Sequence, residues 1–148
     1  MPRSSLRGFA RKTPAWSCCP GVEVICVQPA GAPAMTHSWQ QRRVVTTDST
    51  DTIADGVAGR RPIPAVLDDL LLVADDAILV QDASIITGMR MLLDHAGLVV
   101  EPSTALGIAA ILEDRGRFAG RHVATIVCGS NVDREAYQRW VGAGHPRV

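Results

Sequence analysis

One stretch of the sequence combines a thiol, a glycine and small polar residues at a position where ligands often bind. Residues 123–133 read V-A-T-I-V-C-G-S-N-V-D, so a mostly β-branched apolar run ends at Cys128 and Gly129. Such a run is typical of a strand buried in a parallel sheet, and Asn131 and Asp133 are suited to begin a helix. Because ligands of open α/β sheets bind at this end of a strand, Cys128 would face a crevice. A free cysteine in this position is nevertheless more often a small, inert apolar residue.

The other residues that could do chemistry are spread along the chain. Glu101 ends another apolar run, where a carboxylate must be solvated, paired or functional. Asp75 and Asp76 are better explained as helix caps than as a catalytic pair. The residues after Cys128 could hold an anion on backbone N–H groups, but they match neither the dinucleotide-binding fingerprint nor a P-loop. The four histidines are isolated from one another and are interpreted as surface or interface residues: His37, His95, His122 and His145.

Composition limits the class of protein. At 148 residues the chain has the length of one domain. Lys+Arg and Asp+Glu both total 15, so nothing predicts a nucleic acid or an anionic membrane as partner. The four cysteines form no C-x-x-C pair, which argues against zinc and favours reduced thiols in the cytoplasm. Since no apolar run approaches about 18 residues, no membrane span is expected.

Strands alternate with helices in the predicted order of elements. The strands are expected at residues 22–27, 71–73, 98–100 and 123–127, with 44–45 as a further short candidate. The helices are expected at 34–41, from Asp75 or Asp76 to 96, at 105–112 and at 134–141, with a short helix or turn at 51–57. Gly97 is expected to stop the long helix, and Pro102 to begin the next one. This alternation predicts an α/β fold of three layers, in which helices flank a mostly parallel sheet.

The two ends of the chain differ from the middle. Residues 1–20 contain Arg3, Arg7, Arg11 and Lys12 and no acidic residue. They are interpreted as a basic leader that is disordered or does not derive from the fold, with an organelle transit peptide as the alternative. Residues 21–141 are expected to form the domain and residues 142–148 a tail.

Four stretches carry the most specific signal in the chain. They begin at Val24 (V-I-C-V-Q-P-A-G-A-P-A-M), Thr52 (T-I-A-D-G-V-A), Glu101 (E-P-S-T-A-L-G-I-A-A) and Ile126 (I-V-C-G-S-N-V-D). In this order they resemble the pyridoxal-phosphate enzymes of the threonine dehydratase, serine dehydratase and serine racemase family (fold type II). The resemblance runs from about residue 21 to residue 133 and corresponds to the C-terminal part of that family's large domain. It implies pyridoxal 5'-phosphate as the cofactor and a small amino acid as the substrate.

The resemblance also implies four cofactor-binding residues, Cys128, Gly129, Glu101 and Gly56. In the family, the position of Cys128 is a serine or a cysteine that faces the pyridine nitrogen. Thiols are too weakly acidic to keep that nitrogen protonated, and an unprotonated ring favours elimination of a β-hydroxyl over transamination. Gly129 would let the backbone approach the ring. Glu101 and Gly56 match positions that line the pocket, although a strand-end carboxylate and a helix-end glycine also have structural interpretations.

This chain departs from the family at two kinds of site. Family members that bind a divalent metal place a Glu and an Asp after the first strand, where this chain has Gln28 and Ala34. Because Gln28 lacks the charge that a hard cation prefers, no magnesium or calcium is expected there. The family attaches its cofactor to a lysine in an S-x-K-like motif, whereas the only lysine here, Lys12, lies in R-K-T. The family's glycine-rich phosphate loop is also missing before Pro20.

Two functional hypotheses follow from the resemblance and these departures. The first is a truncated threonine or serine dehydratase-like protein, whose family reaction converts a hydroxy amino acid to a 2-oxo acid and ammonia. This chain would be inactive alone, and no catalytic residue is assigned to it. The alternative is a non-catalytic relic or an interaction module that pairs with a full-length homologue. Either form could belong to a homo- or hetero-oligomer.

Overall fold

A computed structural model describes residues 21–142. The predicted leader at residues 1–20 and all of the predicted tail after Gly142 lie outside the described residues. The chain forms two strands, six α-helices and two short 3-10 helices within that range. In order these are β1 (Ile25–Pro29), α1 (Ala34–Gln41), the 3-10 helix Asp55–Val57, α2 (Pro64–Val73), β2 (Asp76–Val80), α3 (Asp82–Ala96), the 3-10 helix Pro102–Ala105, α4 (Leu106–Glu113), α5 (Arg115–Phe118) and α6 (Arg134–Val141).

β1 and β2 pair in parallel, with Ile25 opposite Asp76 and Pro29 opposite Val80. Both α1 and α4 contact the two strands, while α2 packs on α1 and α3 packs on α4. Since parallel neighbouring strands need a crossover connection, the helices between β1 and β2 are part of the reason that this pairing is possible. The predicted α/β class, a parallel sheet with flanking helices, is confirmed.

The core lies where α3 meets α4, α6 and the end of β2. Its largest fully buried side chains are Val80, Ile85 and Met89. Gly88 permits the close approach of α3, because a Cβ there would lie 3.2 Å from the Ala105 carbonyl oxygen. The remaining buried members of this cluster are mostly small or aliphatic: Ala54, Val100, Ala105, Leu106, Ala109, Ala110, Tyr137 and Val141.

Arg90 on α3 binds the C-terminal end of α6. Its Nε donates to the Val141 carbonyl at 3.1 Å and its Nη2 donates to the Trp140 carbonyl at 2.8 Å. The last carbonyls of a helix have no partner within the helix, and they carry the negative end of its dipole. A cationic side chain therefore satisfies two of them and holds α6 against α3.

Several local predictions are confirmed by the structure. α1 and α6 have the expected bounds, and the Asp133 side chain caps α6 by accepting a hydrogen bond from the Ala136 N–H at 2.8 Å. Gly97 ends α3 in the left-handed region at φ 67°. Pro102 begins a helical turn that continues into α4.

The predicted strands are largely wrong. The first strand is shifted from 22–27 to Ile25–Pro29, residues 71–73 belong to α2, and residues 44–45, 98–100 and 123–127 have no regular secondary structure. A short apolar run does not distinguish a strand from a helix, and Pro64 at the first turn of α2 favours the helix. Sheet formation also needs a neighbouring strand, and residues 98–100 and 123–127 have none within the described range.

The predicted helix caps Asp75 and Asp76 are also wrong. Asp76 begins β2, and the Asp75 carboxylate instead accepts a hydrogen bond from the Val24 N–H at 2.8 Å. The helix α3 begins at Asp82, which is several residues after both predicted caps. The aspartates therefore fix the start of the two-stranded sheet rather than the start of α3.

An ionic cluster of Glu23, Asp76, Arg117 and Arg121 joins the start of the sheet to the region of α5. Arg117 contacts both Glu23 and Asp76 at 2.6 Å, and Arg121 contacts Glu23 at 2.6 Å. The pKa of Glu23 lies below its ordinary value, and the hydrogen bond from Arg117 is the largest cause of this shift. The ionised carboxylate is therefore favoured in the folded state.

We expect this cluster to make stability fall in acid. A carboxylate with a lowered folded pKa contributes stability that is present above its unfolded pKa and is lost as the pH falls through the folded value. Between about pH 6 and about pH 3, the thermal midpoint of the wild type should fall more steeply than that of Glu23→Gln. Circular dichroism melts across this range would measure both slopes, with Asp68→Asn, at an exposed position on α2, as the carboxylate control, which should keep the slope of the wild type. Equal slopes for the wild type and Glu23→Gln would contradict the assignment.

Candidate functional site

Gly129 and the carboxyl group of Glu101 lie in direct contact. Gly129 has φ 91°, and a Cβ built on it would lie 2.5 Å from the carboxyl carbon and from Oε1 of Glu101. The Glu101 N–H also donates to the Gly129 carbonyl at 3.2 Å. The left-handed backbone conformation therefore favours glycine at this position, and a side chain there would displace the Glu101 carboxyl group.

Thr104 fixes the backbone on either side of the peptide bond between Cys128 and Gly129. The residue is 3% exposed, and its hydroxyl is placed to donate to the Cys128 carbonyl or, at 3.2 Å, to the Gly129 carbonyl. Thr104 belongs to the 3-10 helix Pro102–Ala105, which follows Glu101 directly. The same turn therefore positions the Glu101 carboxylate and the Cys128 backbone.

Gly56 reaches this cluster from the other side. A Cβ at Gly56 would lie 3.1 Å from Ser103 Oγ and 3.8 Å from Glu101 Oε1. Ser103 Oγ in turn donates to Glu101 Oε1 at 2.8 Å. Glu101 is thus held between two glycines, with Gly129 on one side and Gly56 on the other.

The segment that carries Gly56 is anchored at two points. The Asp82 carboxylate at the start of α3 accepts from Thr52 Oγ1 at 2.7 Å and from the Ile53 N–H at 2.8 Å. One residue earlier, the Asp51 N–H donates to the Gly31 carbonyl at 2.9 Å. These contacts tie the approach to Gly56 to both the loop after β1 and the first turn of α3.

The structure brings together the four residues that were predicted from the resemblance. Glu101, Gly56 and Gly129 meet around one carboxylate, and Cys128 adjoins them through the backbone, with an exposed free thiol. Ser103 and Thr104 were missed by the sequence analysis. The signal that could have identified them is a pair of adjacent hydroxyl residues directly after E-P.

The other described cysteine has a different environment. Cys26 lies within β1, and burial raises the pKa of its thiol above the ordinary value. A raised pKa lowers the fraction of the reactive thiolate. Cys26 is therefore interpreted as a packing residue.

The side chain of Gln28 forms hydrogen bonds within the fold and is not available as a metal ligand. Its Oε1 accepts from the Thr36 N–H at 2.8 Å and from Thr36 Oγ1 at 3.0 Å, and its Nε2 donates to the Val57 carbonyl at 3.4 Å. Ala34, the other position considered for a metal ligand, is fully buried at the start of α1. No group of three or more His, Cys, Asp or Glu side chains in residues 21–142 is arranged to hold a metal ion, and the absence of a metal site stays a prediction.

Across the same described range, every helix is too short or too polar to cross a bilayer.

Comparisons with known proteins give consistent matches. A family model described as "Pyridoxal-phosphate dependent enzyme" matches residues 5–129. The biosynthetic L-threonine dehydratase of Bacillus subtilis is 33% identical over 114 residues, which are 77% of this chain and 27% of that protein. The L-threo-3-hydroxyaspartate ammonia-lyase of a Pseudomonas species is 33% identical over 136 residues, which are 89% of this chain and 41% of that protein.

A solved structure, that of maize serine racemase, resembles the fold described above. It superposes with a TM-score of 0.75 at 28% identity, over 87% of this chain and 40% of the racemase chain. This chain therefore spans between about a quarter and two fifths of the length of these relatives.

Proposed function

Because this chain belongs to the family of pyridoxal-phosphate dependent enzymes, we propose that Cys128, Gly129, Glu101 and Gly56 form a surface that faces the cofactor's pyridine ring. We call this surface the wall. The relatives of the chain are threonine and serine dehydratase-like enzymes. The observation that carries this proposal is the meeting of Glu101, Gly56 and Gly129 beside Cys128. When bound, the cofactor would supply an electron sink for loss of a β-hydroxyl group from a small amino acid.

The residues of this wall fit a planar heteroaromatic ring. Cys128 offers an exposed thiol, a group that can donate a weak hydrogen bond to a ring nitrogen. Gly129 presents backbone without a side chain, and Thr104 holds the carbonyls on both sides of it. Glu101 is oriented by Ser103, so that its carboxylate lies at the edge of this surface.

The same residues do not fit the covalent attachment of the cofactor. Residues 21–142 contain no lysine, and the single lysine of the sequence, Lys12, stands in R-K-T. A lysine amine is the group that forms the covalent bond to this cofactor. We therefore propose that this chain alone neither holds the cofactor covalently nor catalyses the dehydratase reaction.

The state of the cysteines supports a reducing compartment, for which we propose the cytoplasm. Within residues 21–142, Cys26 and Cys128 form no disulfide, and disulfides are rare in the cytosol.

The inactivity is tested on the purified full chain with pyridoxal phosphate. After borohydride reduction and peptide mapping, we expect labelling at Lys12 no greater than that of the terminal amine. We also expect no 2-oxo acid from L-threonine or L-serine. Lys12→Ala is the control. Stoichiometric label at Lys12, together with 2-oxo acid formation that Lys12→Ala abolishes, would overturn the proposal.

The role of the wall is tested in a chimera. Residues 21–133 would replace the matched segment of the Bacillus subtilis dehydratase, so that the host supplies the lysine. Within this chimera, Cys128→Ala should weaken cofactor affinity by about three- to tenfold, because one neutral hydrogen bond is lost. Cys26→Ala, the same change within β1, should leave the affinity unchanged. Equal affinities for both variants would contradict the role of Cys128.

A further inference from the structure

The side-chain amide of Gln28 connects the first strand to the ends of two helices. Gln28 lies on β1, opposite Leu79 of β2. Its Oε1 accepts hydrogen bonds from the Thr36 N–H at 2.8 Å and from Thr36 Oγ1 at 3.0 Å, and its Nε2 donates to the Val57 carbonyl at 3.4 Å. Because a backbone N–H can only donate, the amide oxygen must face Thr36, and the amide nitrogen therefore faces Val57.

Both ends of this amide bind backbone groups that have no partner within their own helix. Thr36 is the third residue of α1, where N–H groups lack an acceptor in the helix, and the preceding residue, Pro33, supplies no side-chain cap. Val57 is the last residue of the 3-10 helix Asp55–Val57, so its carbonyl has no donor in that helix. A carboxylate at position 28 could bind Thr36 but not the Val57 carbonyl, because it only accepts.

Packing alone leaves room for the end of the 3-10 helix to shift. Val57 is half-buried, and together with Gln28 it lines a cleft of about 180 Å³, so open space lies beside their contact. On another side the helix contacts the turn Pro102–Ala105, where a Cβ on Gly56 would lie 3.1 Å from Ser103 Oγ. A shift of Val57 into the cleft would therefore move Gly56 relative to the turn that carries the wall.

We propose that Gln28 is a positioning residue that holds Gly56 in the wall, an inference that rests on the proposed function. Gln28 acts through the Val57 carbonyl, because the hydrogen bond keeps the 3-10 helix against the turn Pro102–Ala105. Loss of the donor at position 28 should therefore weaken cofactor binding, although the four residues of the wall are unchanged.

The first test uses hydrogen exchange on the full chain without cofactor. The N–H groups of residues 57 and 58 close the 3-10 helix by donating to backbone carbonyls at 3.2 Å and 3.0 Å. In Gln28→Glu, which keeps the acceptor for Thr36 and loses the donor for Val57, these two amides should exchange about three- to tenfold faster. Thr36→Val is the matched control, because it removes a hydrogen bond at the other end of the same amide. It should leave the exchange of both amides unchanged.

The second test measures the affinity for pyridoxal phosphate in the chimera with the Bacillus subtilis dehydratase. Gln28→Glu should weaken this affinity by about three- to tenfold, and Thr36→Val should leave it unchanged. Gln28→Met is the second variant, and it should also weaken the affinity. Since methionine is uncharged, it separates the loss of the donor from the effect of a new charge near Arg61, which lines the same cleft. It also serves if Gln28→Glu fails to fold.

The outcomes distinguish this inference from the proposed function. Unchanged amide exchange in both Gln28 variants would overturn the inference, and so would equal effects of Thr36→Val and Gln28→Glu on the affinity. If Cys128→Ala weakens the affinity in the same chimera and the Gln28 variants do not, the wall stands and the role of Gln28 is refuted. If none of these variants weakens the affinity, the wall itself is refuted, and the inference fails with it.

Discussion

Replacing Gly31 with alanine is expected to lower the free energy of unfolding by about 3 kcal/mol, because the added methyl group overlaps backbone. A Cβ at Gly31 would overlap the Asp51 carbonyl oxygen, and it would lie 2.6 Å from the Asp51 carbonyl carbon and 3.4 Å from the Thr52 nitrogen. A flexible side chain could move aside, but these are main-chain atoms. They are held in place because the Asp51 N–H donates to Gly31 and the Asp82 carboxylate holds Thr52.

Urea denaturation, followed by circular dichroism, would measure this loss. Gly59→Ala is the matched control, since nothing lies within 4 Å of a Cβ at that exposed glycine. It should change stability by no more than about 0.5 kcal/mol. If both variants were equally stable, the close approach of the two loops would be refuted.

Replacing Gly129 with alanine is expected to cost about 2–3 kcal/mol, from two separate sources. At φ 91° a Cβ is strained whatever space surrounds it, which contributes about 1–2 kcal/mol. The Cβ would also meet the Glu101 carboxyl group at 2.5 Å. That carboxyl group would have to move, and it would lose the hydrogen bond from Ser103 at 2.8 Å.

A second glycine separates the two sources. Gly120 has φ 72° with nothing within 4 Å of a Cβ, so Gly120→Ala should show the backbone strain alone. The double variant Glu101→Ala with Gly129→Ala should cost less than the sum of its single changes, because truncating Glu101 removes the steric conflict. The same unfolding measurements would give this coupling. Additive effects of the two changes, with Gly129→Ala no worse than Gly120→Ala, would rule out the contact.

The helices could be predicted where their signals are local. α1 and α6 have the expected bounds, and Gly97 and Asp133 act as expected, because each of these signals depends only on residues within a few positions. Strands depend on partners that are distant in the sequence. β2 was missed because its neighbour is β1, about fifty residues earlier, and residues 123–127 remain irregular because no described strand lies beside them.

The candidate site was predictable only through the resemblance. Spacing alone could not place Gly56 beside Glu101, since these residues are separated by α2, β2 and α3. Ser103 and Thr104 could not be inferred from composition either, because serine and threonine are common in turns and their partners come from remote segments. What selects them is the fold, which brings the residues after Cys128 against the turn that begins at Pro102.

The contact between Arg90 and the end of α6 has a consequence for how the sequence can vary over evolution. Arg90 binds main-chain carbonyls of Trp140 and Val141, and every residue type possesses that oxygen. A replacement at position 140 therefore keeps this hydrogen bond, although it changes the packing of the Trp140 side chain against the core cluster. Position 90 has no such freedom, because lysine lacks the forked donors that reach two carbonyls at once. In homologous chains that keep this helix, polar contacts should therefore restrict position 90 more than positions 140 and 141, where only the packing of the side chain is constrained.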